Sequence, residues 1–160
     1  MIAPKFDVAY PFFGDKAIVG VVDANGLFHD ENGKVAEGSG FGFIDGKGNY
    51  VVSPRFYDVQ NFYDNGLAAA REQKNEKWGF IDIKGNYAIA PQFEEATLFS
   101  NGLAGVRTGD KWGFIDVKGN FMIDPKYDSV GPFTDDGYAY VEKDGQFWII
   151  DREEKFIIVK

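Results

Sequence analysis

Four aspartates recur at one position of a repeated motif and are the first candidates for chemistry. They are Asp45, Asp82, Asp116 and Asp151. Brought together, four carboxylates would form a site for a hard divalent cation. The alternative is that each carboxylate accepts hydrogen bonds from backbone N–H groups of a following turn. The sequence favours the turn role, because Lys-Gly-Asn, a typical turn sequence, follows three of the four aspartates after one intervening residue. We therefore expect no metal site.

The remaining polar candidates are isolated from one another. His29 is the only histidine, and with Asp30 and Glu31 it resembles a calcium loop only superficially, because the required glycine and terminal glutamate spacing is absent. The acidic pairs at 135–136 and 153–154 have no third group to orient them as an acid–base dyad. The sequence contains no cysteine, phosphate-binding loop or hydrolase motif. We expect neither enzymatic activity nor a cofactor.

The aromatic candidates are Trp78 and Trp112, which are followed by Gly79 and Gly113. Exposed indoles could stack on sugars. At equivalent positions of a repeat, however, large aromatic side chains more often fill the core between layers. We therefore expect both tryptophans to be structural.

These residues belong to a repeated stretch of nine residues. It reads WGFIDVKGN at 112–120, with near-copies from 78 and 41 and a degenerate copy from 147. Its apolar residues alternate as in a strand, and a second apolar run follows the turn. Gly85 and Gly119 are expected at positive φ in that turn, where a glycine has no Cβ penalty. The stretch therefore predicts a β-hairpin.

Two more signals recur in step with the hairpin. A proline followed two residues later by an aromatic residue occurs at Pro4, Pro54, Pro91 and Pro125, with a phenylalanine eight residues after each proline. A stretch of small residues, such as GLAGVR at 102–107, precedes the hairpins. We interpret each repeat as an antiparallel meander of the small-residue strand and the two hairpin strands. The proline is expected at the junction with a fourth short piece, a candidate to close the unit.

The repeats divide the chain into units at about 1–40, 41–77, 78–111 and 112–146, with a closing half-unit made of 147–160 and 1–15. Because the N-terminal piece supplies the segment that the last unit lacks, the two ends could pair. We expect a single all-β domain, a four-repeat antiparallel β-meander array folded as a small closed four-bladed propeller-like ring. The alternative is an open β-solenoid of stacked hairpins.

The first unit carries an insertion at residues 23–40. Its two Asn-Gly pairs are typical of hairpin turns, and the simplest interpretation is an extended hairpin in solvent. Insertions in one copy of a repeat are also where binding surfaces are commonly built. We therefore predict a binding role for Asn25, Leu27, Phe28, His29, Asp30 and Asn32.

The composition limits the partners and the compartment. The net charge of −8 opposes binding to nucleic acid. No apolar stretch is long enough to span a membrane, and the N-terminus shows no signal peptide. We expect a cytoplasmic protein, or a secreted one if a leader has been removed, with a protein partner and an oligomeric state that the sequence leaves open.

The motif set resembles the WG-repeat family, also called KWG repeats, which are bacterial β-rich repeats named for the Trp-Gly pair. The resemblance rests on KWGFID at 77–82 and 111–116, on Lys-Gly-Asn, on the proline–aromatic pair and on the run FSNGLA at 99–104. It is weaker in the first copy, where Phe41 replaces tryptophan, and in the last, where Trp148 stands at the glycine position. The resemblance implies a structural or ligand-presenting repeat without a catalytic signature.

Two functions fit these observations. The first is a non-enzymatic binding or scaffold module that presents loops, chiefly residues 23–40 and 72–77, for protein–protein interaction. The second is a carbohydrate or cell-envelope binding module that uses Phe28, Tyr63 and Tyr138. Repetition without a unique polar cluster favours the first.

Overall fold

The structure of the protein is a computed structural model that describes residues 6–22, 40–62, 65–74 and 76–157. Every regular element in these ranges is a β-strand, and the ranges contain no helix that could cross a membrane. The strands are β1 (Val8–Ala9), β2 (Lys16–Gly20), β3 (Phe41–Asp45), β4 (Tyr50–Phe56), β5 (Asp58–Val59), β6 (Ala68–Arg71), β7 (Trp78–Ile81), β8 (Tyr87–Phe93), β9 (Glu95–Ala96), β10 (Leu103–Thr108), β11 (Lys111–Asp116), β12 (Phe121–Tyr127), β13 (Ser129–Val130), β14 (Tyr138–Lys143) and β15 (Gln146–Asp151).

The described strands form four antiparallel sheets. Sheet 1 contains β1–β4, sheet 2 β5–β8, sheet 3 β9–β12 and sheet 4 β13–β15, and strands that pair in a sheet are also neighbours in the chain. A bridge between Ile150 and Phe156 adds a further antiparallel segment to sheet 4. The predicted all-β fold of antiparallel meanders is confirmed.

The turn between the two hairpin strands follows from its sequence. In sheet 3 the N–H of Gly119 donates to the carbonyl oxygen of Asp116 at 3.0 Å. The N–H of Asp116 donates in turn to the carbonyl oxygen of Asn120 at 2.9 Å. The turn glycines have positive φ, 82° at Gly85 and 86° at Gly119. Any other residue would be strained by its Cβ in this conformation, which explains the glycine in Lys-Gly-Asn.

The glycine after each tryptophan makes room for a backbone crossing. A Cβ at Gly113 would lie 2.5 Å from the carbonyl oxygen of Ile123, and one at Gly79 would lie 2.6 Å from that of Ile89. These distances are too short for a Cβ, and the atom it would meet belongs to the backbone. β8 and β12 can therefore pass so close to the preceding strand only where that strand has a glycine.

The prolines lie inside the last strand of each full meander, at a β-bulge. Phe114 pairs with Ile123 and Trp112 with Tyr127, so β11 advances two residues between these pairs while β12 advances four. Pro125 falls within this bulge, where the missing N–H costs no ladder hydrogen bond. The corresponding prolines of β4 and β8 occupy the same place. The junction predicted at the proline is therefore wrong, because the strand continues to Tyr127.

The chain runs directly from the last strand of each meander into the first strand of the next sheet. β12 ends in sheet 3, and after the single residue Asp128 the chain forms β13, which pairs with β14 in sheet 4. The short piece after the proline therefore opens the following sheet and does not close its own unit. Likewise β1 pairs with β2 in sheet 1, with Val8 opposite Gly20. The described part of the N-terminal piece is therefore a strand of sheet 1, and the closing half-unit of 147–160 and 1–15 stays a prediction, because residues 1–5 and 158–160 lie outside the described ranges.

Successive sheets pack face to face around shared hydrophobic clusters. Small residues of the small-residue strand, such as Ala104 and Ala139, are at most 2% exposed and allow the sheets to approach closely. The phenylalanine that follows each proline by eight residues completes each cluster. The rings of Phe62, Phe99 and Phe133 lie 4.6, 4.8 and 4.8 Å from those of Phe43, Phe80 and Phe114, respectively.

The two ends of the array differ from each other. Each shared cluster joins a sheet to its neighbour in the chain, and among the described residues none joins sheet 1 to sheet 4. On one face of sheet 1, Phe6 and Tyr50 pack against a cluster that contains Val19 and Ile44. The outer face of sheet 4 carries exposed aromatic side chains instead.

Candidate interaction surface

The predicted insertion surface lies outside the described residues. This applies to Asn25, Leu27, Phe28, His29, Asp30 and Asn32, and to Tyr63 of the carbohydrate alternative. A role for the insertion therefore stays a prediction. Tyr138 is the remaining aromatic candidate, and it lies at the start of β14.

The recurring aspartates hold the hairpin turns. Oδ1 of Asp116 accepts hydrogen bonds from the backbone N–H groups of Lys118 and Asn120, both at 2.9 Å. The side-chain and backbone hydrogen bonds from Asn120 lower the pKa of Asp116, because they stabilise the charged carboxylate. The same pair of backbone bonds occurs at Asp45, Asp82 and Asp151. This is the turn role that the sequence favours, and in the described ranges no three acidic or histidine side chains come together as metal ligands.

Trp78 and Trp112 both contribute to packing between sheets. Trp78 is 7% exposed in the core shared by sheets 2 and 3, and the guanidinium of Arg71 lies 4.9 Å from its ring centre. Trp112 is half-buried and packs against the cluster between sheets 3 and 4. Burial of this kind leaves little of either indole for stacking on a ligand.

Sheet 4 buries only one of its faces. The residues that face sheet 3 are Ala139, Val141 and Ile150, and they are at most 2% exposed. On the opposite face Tyr138, Tyr140 and Phe147 are 41%, 48% and 58% exposed. The division follows from the strand period, because successive side chains point to opposite faces. We call Tyr138, Tyr140 and Phe147 the terminal aromatic surface.

Tyr140 distinguishes this surface from the interfaces between sheets. The corresponding residue is Ile18 in sheet 1, Ala69 in sheet 2 and Gly105 in sheet 3, and all three are buried. At Gly105 even a Cβ would lie 2.8 Å from Cγ2 of Val130 in the next sheet. A tyrosine ring does not fit at that spacing. The outer face of sheet 4 therefore cannot be covered in the way that sheet 4 covers sheet 3.

The aromatic rings of sheet 4 hold one another in place. Tyr140 and Phe147 stack with ring centres 5.3 Å apart and planes inclined by 15°. Trp148 replaces the glycine of the repeat, is 41% exposed and packs edge-on against Phe156 at 5.1 Å. Because an indole now occupies the place of that glycine, the close backbone crossing of sheets 1 to 3 is not possible there.

A shallow cleft of about 330 Å³ lies beside Tyr138. The side chain of Arg152 on its wall donates a hydrogen bond to the carbonyl oxygen of Asn101 at 2.7 Å, which ties this end of sheet 4 to sheet 3. Lys155 pairs with Glu153, and this hydrogen bond raises the pKa of Lys155. The rim therefore offers charges of both signs next to an exposed aromatic ring.

Glu154 anchors the last hairpin to sheet 3. It stands where the other turns have glycine and has a φ of 63°. Its Oε1 accepts a hydrogen bond from the hydroxyl of Tyr127 at 2.6 Å and lies 2.5 Å from Nζ of Lys126. Burial alone would raise the pKa of Glu154, but the hydrogen bonds from Lys126 and Tyr127 outweigh it and leave the pKa lowered. Sheet 4 is thus fixed to its neighbour by polar as well as apolar contacts.

Sequence reasoning missed Tyr140 and Phe147 as candidates. The signal was the break in the repeat, because tyrosine stands in β14 where the aligned copies have isoleucine, alanine or glycine. A large aromatic residue at a position that is otherwise small indicates that the next layer is absent or different. Phe147 takes the place of Trp112 and carries no such signal by itself.

The fold and the repeat agree with a comparison of the sequence with known families. A family model described as WG containing repeat matches residues 1–24, 41–78, 78–112 and 112–147. No curated protein matches the chain. The matched segments together cover most of the chain, and the chain therefore belongs to the family of WG-containing repeat proteins.

Proposed function

We propose that the protein is a non-enzymatic binding module that holds a protein partner against the terminal aromatic surface. The observation that carries the proposal is the outer face of sheet 4, where Tyr138, Tyr140 and Phe147 are 41–58% exposed. Exposed tyrosine and phenylalanine side chains that cluster on a rigid sheet are typical of the centre of a protein interface. Because the ring of Tyr140 does not fit the spacing between packed repeats, we expect the partner to differ in shape from a further repeat.

The charge of the chain favours a basic partner. The net charge is −8, and three acidic residues line the cleft beside Tyr138 against two basic ones, Arg152 and Lys155. A partner that presents lysine or arginine around an apolar centre would complement both the charge and the aromatic rings. Phosphate-rich partners would be repelled. Binding is expected to weaken as salt is added, because exposed charges are screened.

An open array of sheets suits this function better than a closed ring. Phe12, whose counterparts in later repeats pack between sheets, is 45% exposed. The shared clusters among the described residues join only successive sheets, and on sheet 1 Phe6 and Tyr50 pack against a cluster of that same sheet. These contacts support the open stack that the sequence left as the alternative. In an open stack the outer face of sheet 4 is accessible to a partner.

The proposal is tested by removing the stacked pair. In the Tyr140→Ala/Phe147→Ala variant we expect at least a tenfold loss of affinity for a protein captured with the wild type and then purified, measured by calorimetry. Met122→Ala, which truncates a side chain that is 56% exposed on sheet 3, is the matched control and should bind as the wild type does. Equal binding by the double variant and the control would refute the proposal.

A further variant in the same experiment tests the insertion. Replacing residues 23–40 by a Gly-Ser linker of equal length tests the interface predicted from the sequence. Loss of binding in the linker variant, with full binding by the Tyr140→Ala/Phe147→Ala variant, would assign the partner to the insertion. Thermal unfolding of both variants shows whether either change acts through stability.

Carbohydrate binding is the second candidate, and Tyr138 is the residue that favours it. Its exposed ring lies at the edge of a cleft of about 330 Å³ whose other walls include Asp136, Arg152 and Lys155. A ring face beside charged hydrogen-bonding groups could hold a sugar. A glycan array with the wild type and Tyr138→Ala distinguishes the two functions. Binding of a glycan by the wild type that Tyr138→Ala abolishes would favour the second.

A further inference from the structure

A second cleft lies between the turn that precedes β2 in sheet 1 and the loops of sheet 2. Its volume is about 340 Å³, at the small end of the range of ligand pockets, roughly 300–1,000 Å³. The walls include Phe13, Gly14, Asp15 and Lys16 from sheet 1, and Phe62 and Ile83 from sheet 2. The cleft shares none of these residues with the terminal aromatic surface.

The turn at Gly14 has the same geometry as the turn at Asn101 in sheet 3. In each turn the N–H of the preceding residue donates at 2.8 Å to the carbonyl oxygen three residues further along the chain. The φ angle is 62° at Gly14 and 53° at Asn101. The two residues therefore occupy equivalent positions, Gly14 facing sheet 2 and Asn101 facing sheet 4.

Between sheets 3 and 4, polar side chains bridge this position. The carbonyl oxygen of Phe133 accepts hydrogen bonds from Nδ2 of Asn101 at 3.2 Å and from Oγ of Ser100 at 2.6 Å. From sheet 4, the guanidinium of Arg152 donates to the carbonyl oxygen of Asn101 at 2.7 Å. Three hydrogen bonds thus join the turns of these two sheets.

Between sheets 1 and 2, the corresponding side chains cannot donate. Phe13, Gly14 and Ile83 stand in place of Ser100, Asn101 and Arg152, respectively. A Cβ at Gly14 would meet no atom within 4 Å, so the space in front of this residue is open. The cleft therefore lies where an amide and a guanidinium lie between sheets 3 and 4.

The acceptors of those hydrogen bonds remain in the cleft. The carbonyl oxygens of Gly14 and Phe62 correspond to those of Asn101 and Phe133. In the described part of the chain neither of them accepts a hydrogen bond. A ligand that supplies N–H donors to these two oxygens would replace the bonds that the repeat makes elsewhere.

The charges at the edge of the cleft favour a cation. Oδ1 of Asp15 accepts a hydrogen bond from Nζ of Lys16 at 2.6 Å, and the Asp15 side chain is 86% exposed. This bond lowers the pKa of Asp15, and the negative charge of Asp45 acts in the opposite direction. Two carboxylates and one ammonium therefore lie together, and their summed charge attracts a cation.

A guanidinium suits the cleft better than an ammonium does. It is planar and carries five N–H donors in fixed directions, so it can donate to two carbonyl oxygens at once. It also stacks on aromatic rings, and Phe13 on the wall of the cleft is 43% exposed. Arg152 shows that the fold accepts a guanidinium at the equivalent place between sheets 3 and 4.

We propose that the cleft between sheets 1 and 2 binds a guanidinium group, which donates to the carbonyl oxygens of Gly14 and Phe62 and pairs with Asp15. The group can belong to a small molecule or to an arginine side chain of a protein, since both present the same donors. The site is independent of the terminal aromatic surface, so either proposal can fail without the other.

The test compares three probes on the full chain. Methylguanidinium, N-acetyl-argininamide and N-acetyl-lysinamide are titrated while the backbone amide signals are followed by NMR. We expect both guanidinium probes to shift the signals of Gly14 and its neighbours, and N-acetyl-argininamide to bind at least about fivefold more tightly than N-acetyl-lysinamide. Tighter binding of N-acetyl-argininamide than of methylguanidinium indicates an arginine side chain as the ligand, and weaker binding indicates a small molecule.

Two variants fill the cleft with the residues found between sheets 3 and 4. Gly14→Asn introduces the amide, which the turn tolerates because Asn101 has the same positive φ. Ile83→Arg introduces the guanidinium. Each should weaken binding of N-acetyl-argininamide at least about tenfold while the protein stays folded by circular dichroism. Ile83→Arg serves alone if Gly14→Asn does not fold.

Each variant has a matched control. Gly109→Asn makes the same change at another glycine with a φ of 62° and open space around it. Val117→Arg adds the same charge at the corresponding position of sheet 3, where Val117 is 41% exposed. Both controls should bind N-acetyl-argininamide as the wild type does.

Three outcomes would overturn the proposal. The first is no signal shift near Gly14 with either guanidinium probe at millimolar concentration. The second is unchanged affinity for N-acetyl-argininamide in folded Gly14→Asn or Ile83→Arg. The third is an equal affinity of the wild type for N-acetyl-argininamide and N-acetyl-lysinamide.

Discussion

Tyr127 and Glu154 form a hydrogen bond, and two substitutions can return these two residues to those at the same positions of the preceding repeat. The corresponding residues between sheets 2 and 3 are Phe93 and Gly119, so Tyr127→Phe and Glu154→Gly each return one partner to the residue of that repeat. The double variant restores both. The four proteins form a double-mutant cycle in which each residue is changed with and without the other.

The single changes should each destabilise the protein. Tyr127 is 1% exposed, so Glu154→Gly leaves a buried hydroxyl without its acceptor, at a cost of about 1–3 kcal/mol. Part of this cost is offset by relief of the left-handed backbone at residue 154, about 1 kcal/mol, because φ is 63° there. Tyr127→Phe removes a hydrogen bond to a charged acceptor, at a cost of about 1.5 kcal/mol, and leaves Lys126 as the partner of the carboxylate.

The double variant should lie close to the wild type. It retains neither the buried hydroxyl nor the strained turn, and it loses a partly exposed ion pair with Lys126 that contributes about 0.5 kcal/mol. The relief of the backbone and the loss of the ion pair accompany Glu154→Gly whether or not Tyr127 is changed, so they cancel in the cycle. The coupling energy is therefore expected to be about 2.5–4.5 kcal/mol. Urea unfolding of the four proteins at pH 7 measures it. Additive effects, with the double variant less stable than either single variant, would refute the reasoning.

The remaining predictions concern the crossing glycine and the titrating groups. Gly113→Ala should cost more than about 3 kcal/mol by urea unfolding, because its Cβ would lie 2.5 Å from a backbone oxygen. Gly46→Ala, with open space around it, should stay within about 0.5 kcal/mol. The lowered pKa of Asp116 adds stability above its unfolded value of about 3.9 that is lost as the pH falls through the folded value, so acid unfolding of Asp116→Ala should be flatter. Burial raises the pKa of Tyr87 to about 12, so stability should fall as the pH rises from about 10 to 12, and Tyr87→Phe should reduce that loss.

The hairpins could be predicted because their causes are local. The turn at Gly119 needs a residue that tolerates positive φ, and the carboxylate of Asp116 needs N–H groups only four residues away or nearer. Every residue involved lies within one nine-residue stretch. Repetition then extends the same conclusion to the other copies, which is why the all-β meander was accessible from the sequence.

The pairing of the short strand after each proline with the following sheet could not be predicted in the same way. A two-residue strand such as Ser129–Val130 carries too little pattern to select its partner. Its position is decided by the bulge at Pro125, which carries β12 past Trp112 and delivers the chain to the next sheet. That bulge depends on a crossing over Gly113, a contact between strands that spacing alone does not reveal.

The residues that break the repeat concentrate in the end copies for a physical reason. A middle sheet must pack on both faces, so a change at Gly105 or Trp78 disturbs two layers that are already in contact. In sheet 4 the face opposite sheet 3 is exposed at Tyr140 and Phe147, so it tolerates large residues there. Substitutions on that face of sheet 4 are therefore expected to cost little stability.

The effect of a substitution on stability therefore depends on the repeat copy in which it is made. Phe41→Trp places the larger ring of the later repeats beside a cleft of about 300 Å³ and should stabilise the protein. Returning Tyr140 to glycine should remove binding at the terminal aromatic surface with little effect on unfolding. The opposite change, Gly105→Tyr, would force a ring against Val130 and should prevent sheets 3 and 4 from packing. Comparable stability of the Tyr140→Gly and Gly105→Tyr variants would contradict the difference between end and middle copies.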